Sequence, residues 1–138
     1  MDHDKIFEQL VAHEGLETTV YKCPAGRLTI GVGRNLDDLG ITPEEAMILL
    51  ANDVERCCTE LDLTVPWWRA LDDVRQRVLV DMVFNLGIHR FLGFKKMLRH
   101  VAAQAWDLAA DEMLDSRWAD QVGMRARTLS DMMRSGQD

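Results

Sequence analysis

Three residues near the N-terminus have types and a spacing that could do hydrolytic chemistry. They are Glu14, Cys23 nine positions on, and Thr29 six further, all inside HEGLETTVYKCPAGRLTIGVGR. Cleaving a glycosidic bond needs an acid to protonate the leaving oxygen and a second group to activate water or attack the anomeric carbon. Glu14 suits the first task. It ends a predicted helix, where the negative pole of the dipole disfavours another negative charge and raises a carboxyl pKa. Taken alone, a Glu in the last turn of a helix is usually a solvated residue. Cys23 alone reads three ways: a packed thiol, a redox centre, or the catalytic partner of Glu14.

The elements that must position these residues follow from periodicity and turn chemistry. Ile6, Phe7, Leu10 and Val11 fall on one face of a helix over Asp4–Glu14, which Gly15 ends. TTVYK reads as a strand, CPAGR as a turn and LTIGVG as the returning strand. The two glycines of that strand suggest a close backbone approach or a bend. RNLDDLGIT is a loop. Thr42 as N-cap, Pro43 at N1 and Glu45 at N3 form a capping box that starts a helix to about Thr59. LDLTV is then a linker. Pro66 opens a long helix to Leu86 that carries Trp67, Leu71, Val74, Val78 and Met82 on one face, with Gly87 as its cap. Shorter helices follow over Phe91–Ala102, Ala105–Leu114 and Ala126–Met133. The chain thus predicts an α+β fold, predominantly α, with one small β element near the N-terminus.

Composition bounds the partners. At 138 residues the chain is one domain with a real core. A net charge of −7 argues against nucleic acid, which demands a basic face. Arg117, Arg125, Arg127 and Arg134 are interleaved with acids and read as a solvated face, a local patch being the alternative. The N-terminus has no signal-peptide pattern and no apolar run reaches membrane-spanning length, so the expected location is the cytoplasm of the cell that makes it. Three cysteines, two of them adjacent, make no disulfide framework, and no Cys/His spacing suggests zinc. No metal or cofactor is expected. Cys57 and Cys58 read as packing thiols, the four Trp as core or lobe packing, and the eight Met as gap fillers.

The spacing of Glu, eight residues, Cys, five residues, Thr resembles the motif of phage-type lysozymes, the endolysins of glycoside hydrolase family 24, where the middle residue is Asp or Cys. The resemblance continues in order along nearly the whole chain. HEGL, VYK and LTIGVGR match EGL, YK and TIGxGH. VLVDMVFNLG is similar to NMVFQMG. Trp106-Asp107 with Ala109-Ala110 and then SRWADQ are similar to RWDEAA and SRWYNQ, and GMRAR stands at the position of NRA.

The resemblance implies a single lysozyme-like domain over 1–138 with two lobes. A small β-hairpin lobe would span about 15–41. A helical lobe would span about 60–138 and include the N-terminal helix 4–14. The implied activity is that of a muramidase, hydrolysing the β-1,4 bond between N-acetylmuramic acid and N-acetylglucosamine in peptidoglycan and so lysing bacteria. Glu14 would be the acid, Cys23 the second catalytic group, and Thr29 would help hold the attacking water. Arg125 would pair with Glu14, and Arg34 with Asp53 would tie the small lobe to a helix. Phe84, Asn85 and Gln121 would line the sugar cleft. Such an enzyme is expected as a monomer in the host bacterial cytoplasm, reaching the wall through a holin pore. The loop Arg34–Thr42 is short, so the small lobe would be trimmed. The negative net charge departs from the basic character of many wall-lytic enzymes.

Other classes stay in view. A cysteine hydrolase would need a His beside Cys23; His13, His89 and His100 carry no local signature for it. A lytic transglycosylase would need only the acid. A catalytically inactive wall-binding or virion protein would need neither residue.

Overall fold

A computed structural model describes all 138 residues. The fold is α+β and predominantly α, with one small antiparallel sheet. The chain forms two compact units, Met1–Leu49 and Leu50–Asp138, with the boundary inside a helix. No helix is long and apolar enough to cross a membrane.

In the first unit, helix α1 spans His3–Glu14. Asp2 caps it by accepting from the Lys5 amide at 3.0 Å. It stops at Gly15, whose φ of +79° no L side chain adopts comfortably and whose N–H donates to Val11 O. Strands β1 (Glu17–Lys22), β2 (Leu28–Gly31) and β3 (Arg34–Asn35) follow in order β1-β2-β3. Tyr21 pairs with Thr29, Thr29 with Asn35 and Ile30 with Arg34, so Thr29 sits mid-sheet. The returning strand expected over LTIGVG is therefore two strands. Gly31 and Gly33, at φ +70° and +71°, fold the chain back at Val32-Gly33.

Helix α2 runs Pro43–Thr64. The capping box is present: Glu45 N donates to Thr42 Oγ1 at 3.1 Å, and Thr42 N to Glu45 Oε1 at 3.0 Å. The linker expected at LDLTV is instead the last turn of α2. Nothing in it breaks a helix, and Leu61 is fully buried; the stop comes at Val65, pushed out of helical geometry by Pro66.

The helix expected from Pro66 is broken in the same way by local chemistry. Pro66–Ala70 form a short 3₁₀ turn, and α3 begins only at Asp73 and ends at Leu86. Asp72 is its N-cap, accepting from the Arg75 amide at 3.1 Å. The single helix expected over Phe91–Ala102 is two, α4 (Ile88–Leu92) and α5 (Lys95–Ala102), divided at Gly93-Phe94. Helix α6 spans Trp106–Leu114 and α8 spans Met124–Ser135. The sequence reading gave SRWADQ no element, yet it forms α7 (Arg117–Val122), capped by Ser116.

These helices enclose a core built from Val78, Leu79, Met82 and Val83 of α3 with Phe91, Val101, Met113 and Trp118. Cys57 is buried in it and Cys58 half-buried, as packing thiols. The gap-filler reading of methionine holds for Met82, Met97, Met113 and Met133, with half-buried Met132 packed against them, while Met1, Met47 and Met124 are exposed. Arg75 is a buried strut. It donates to the Met133 and Arg134 carbonyls at 2.7 and 3.1 Å, holding the end of α8. It also stacks 3.9 Å from the Trp106 ring.

Candidate active site

Glu14 is the last residue of α1, and its carboxylate rests against the β2–β3 turn. A Cβ built on Gly33 would stand 3.0 Å from Glu14 Oε2, 3.2 Å from Cδ and 3.4 Å from Cγ. The tip of the turn, two residues past the strand that carries Thr29, thus forms a wall beside the candidate acid.

Cys23 opens the turn between β1 and β2. Its N–H donates to Arg27 O at 2.9 Å, and its carbonyl accepts from Gly26 N at 2.8 Å. The Arg27 backbone N–H holds the thiol below its ordinary pKa. Desolvation opposes this, while the Ala25 backbone and the Thr29 hydroxyl assist the lowering. Thr29 is almost fully buried, and its Oγ1 donates to Arg27 O at 2.9 Å. A hydroxyl has one proton, and Thr29 commits it to Arg27 O, the carbonyl that also accepts from the Cys23 amide.

Arg34 is paired within the first unit. Its Nη1 donates to Glu45 Oε1 at 3.0 Å and to Gly40 O at 3.1 Å, clamping the loop between β3 and α2. Glu45 is already oriented by the capping box, which makes it the better placed acid. Arg34, then the Thr42 amide, lower its pKa to about 2. Asp53 pairs along its own helix with Arg56, at 3.4 Å.

In the second unit, Arg125 Nε donates to Asp81 Oδ1 of α3 at 2.9 Å, with Nη2 2.7 Å from the same oxygen. Phe84 is exposed and, with Arg125, Asp81 and Val80, lines an apolar-floored groove of 560 Å³. Asn85 Oδ1 accepts from the buried Trp118 indole at 2.8 Å. Gln121 Oε1 accepts from Arg90 at 3.3 Å.

A basic surface gathers around Arg117, with residues of α5 rather than with the rest of the Arg-rich C-terminal segment. Seven of the sixteen Lys and Arg side chains are in ion pairs. Of the others, Arg90, Lys95, Lys96, Arg99 and Arg117 line one groove of 600 Å³, with Glu112 and Asp115. The signal in the sequence was KKMLR on a short helix. In the Arg-rich C-terminal segment, by contrast, Arg125 and Arg134 are neutralised by Asp81, Asp107 and Asp111. No group of three or more His, Cys, Asp or Glu is placed to hold a metal ion.

An acid at a helix end, against the turn of a small sheet that carries a buried hydroxyl, with a thiol opening the neighbouring turn and a helical unit following in the chain, is a lysozyme-like arrangement. The chain belongs to the phage lysozyme family, whose profile matches residues 11–134. It is 25% identical to "Probable T4-type lysozyme 1" of Dictyostelium discoideum, over 95% of this chain and 94% of that protein. It is 27% identical over 94% of its length to the pre-baseplate central spike protein of Enterobacteria phage T4, of which it spans only 27%. "Probable T4-type lysozyme 2" of Dictyostelium discoideum is 32% identical over 48% of this chain and 39% of that protein. Family and relatives support a lysozyme-like function.

Proposed function

We propose that the chain is a muramidase that hydrolyses the β-1,4 bond between N-acetylmuramic acid and N-acetylglucosamine and thereby lyses bacterial cells. The observation that carries this reading is the Glu14 carboxylate at the end of α1, against the turn that follows the strand bearing Thr29. Glu14 gives its proton to the glycosidic oxygen as the bond to the anomeric carbon breaks. Water forms the new bond to that carbon from the opposite face, and its proton passes to the Cys23 sulfur when that is ionised. Thr29 helps hold the water. Glu14 and Cys23 then exchange protons with solvent and the site is reset. Water attack inverts the anomeric centre; direct attack by the thiolate retains it.

Arg34 and Arg125 support the site, and Phe84, Asn85 and Gln121 contact the glycan. The basic groove gives an acidic protein a local hold on the anionic wall. The protein works as a single lysozyme-like domain and a monomer. It is made in the bacterial cytoplasm and released through a holin pore.

Digestion of purified peptidoglycan, followed by mass spectrometry and NMR, tests the reaction. Hydrated reducing ends that first appear as the inverted anomer support it. Anhydro-sugar ends would instead identify a lytic transglycosylase, and a retained anomer would replace water with the thiolate as nucleophile. The likeness to a spike protein favours a second reading, a wall-binding structural role without turnover, in which no new ends appear.

A further inference from the structure

We propose that Gly33 is a positioning residue for the acid: its missing side chain leaves the space in which the Glu14 carboxylate is aimed. The inference rests on the reading of Glu14 as the acid and assigns a role to a turn residue outside the Glu–Cys–Thr motif. All three atoms nearest to a Cβ at position 33 belong to the Glu14 side chain, the closest being Oε2 at 3.0 Å. A contact that short forces a shift of a few tenths of an ångström. The mobile partner is the carboxylate end of a flexible side chain, so it yields before the backbone does. The turn itself is fixed by the Ile30–Arg34 and Thr29–Asn35 pairings and by the clamp of Arg34 on Gly40 O and Glu45. A side chain at 33 would therefore cost little stability through this contact and would act on the direction of the acid.

The fold contains its own control. Gly31 has φ +70° against +71° at Gly33, yet a Cβ there meets nothing within 4 Å. Gly31→Ala and Gly33→Ala impose the same backbone strain, and only the second touches Glu14.

The test compares both variants with wild type on soluble peptidoglycan fragments, reading kcat, KM and thermal midpoint. The two should lose similar thermal stability. Gly33→Ala alone should lose kcat, on the order of tenfold to a hundredfold for a misaimed acid, with KM nearly unchanged. In a Glu14→Asp background the shorter side chain withdraws from the contact, so Gly33→Ala should then cost no more kcat than Gly31→Ala. Equal kcat for the two alanine variants, or the same extra loss in the Glu14→Asp background, would overturn the proposal. Full activity of Glu14→Gln would instead overturn the reading of Glu14 on which it rests.

Discussion

The hydrogen bond between Asn85 and Trp118 makes a quantitative prediction. It joins α3 to α7 across 33 residues of sequence, at 2.8 Å, and the indole that donates it is only 3% exposed. Asn85 itself is exposed, so replacing it changes little surface packing. Asn85→Leu keeps the shape and removes the acceptor, leaving a buried indole N–H unpartnered. Such an orphan costs about 1–3 kcal/mol. In a chain of this length each kcal/mol moves the thermal midpoint by roughly 3–5 °C, so a loss of about 2 kcal/mol lowers it by roughly 6–10 °C. Asn85→Asp keeps an acceptor and should stay within about 0.5 kcal/mol of wild type. Urea unfolding followed by tryptophan fluorescence and thermal scans by circular dichroism give both quantities. In a Trp118→Phe background the N–H is gone, and Asn85→Leu should be close to neutral. An Asn85→Leu protein as stable as wild type, or an equal loss in both backgrounds, would refute the argument that this bond orders Asn85.

The remaining predictions concern charge and the thiol. Cys23 should react with iodoacetamide at lower pH than Cys57, because the Arg27 amide lowers the first thiol while burial raises the second. Complete modification of Cys23 should abolish most wall lysis and leave Cys23→Asp unaffected, whereas full activity after modification would remove Cys23 from the mechanism. Glu45 has a folded pKa of about 2, below its ordinary 4.5, so its clamp on Arg34 stabilises the fold fully above pH 4.5 and is lost as pH falls towards 2. Thermal midpoints of wild type and Glu45→Gln should accordingly differ at neutral pH and converge near pH 2; a gap that persists there would contradict the linkage. Reversing Lys95 and Lys96 to Glu should weaken retention on purified walls several-fold at low salt, with the difference shrinking as salt screens it. Retention that is unchanged at every ionic strength would detach the basic groove from wall binding.

Much of this was legible in the chain because local rules decided it. The Thr42–Glu45 capping box, the stop at Gly15 and the turn at CPAGR are set by residues within a few positions, and all three appear in the structure. The strand glycines signalled a bend or close approach, and Gly31 and Gly33 make both. What was missed depended on competition between local signals. Pro66 marked a helix start more visibly than Asp72, yet Asp72 captures the Arg75 amide and takes the cap. Pairings were the least legible part. Spacing assigns a residue type to a position but not the distance to its rivals. The partners that the structure shows, Glu45 for Arg34 and Asp81 for Arg125, could therefore not be read from spacing. The spacing of Glu14, Cys23 and Thr29 gave the order of the candidate site. The hold of Thr29 on Arg27 O and the approach of Glu14 to Gly33 required coordinates.

The most direct test of the central claim is a zymogram on purified peptidoglycan comparing wild type, Glu14→Gln and Cys23→Asp at equal loading. Glu14 as the acid and Cys23 as its partner predict clearing by wild type, none by Glu14→Gln, and clearing by Cys23→Asp that persists after thiol alkylation. Equal clearing by wild type and Glu14→Gln would contradict the account.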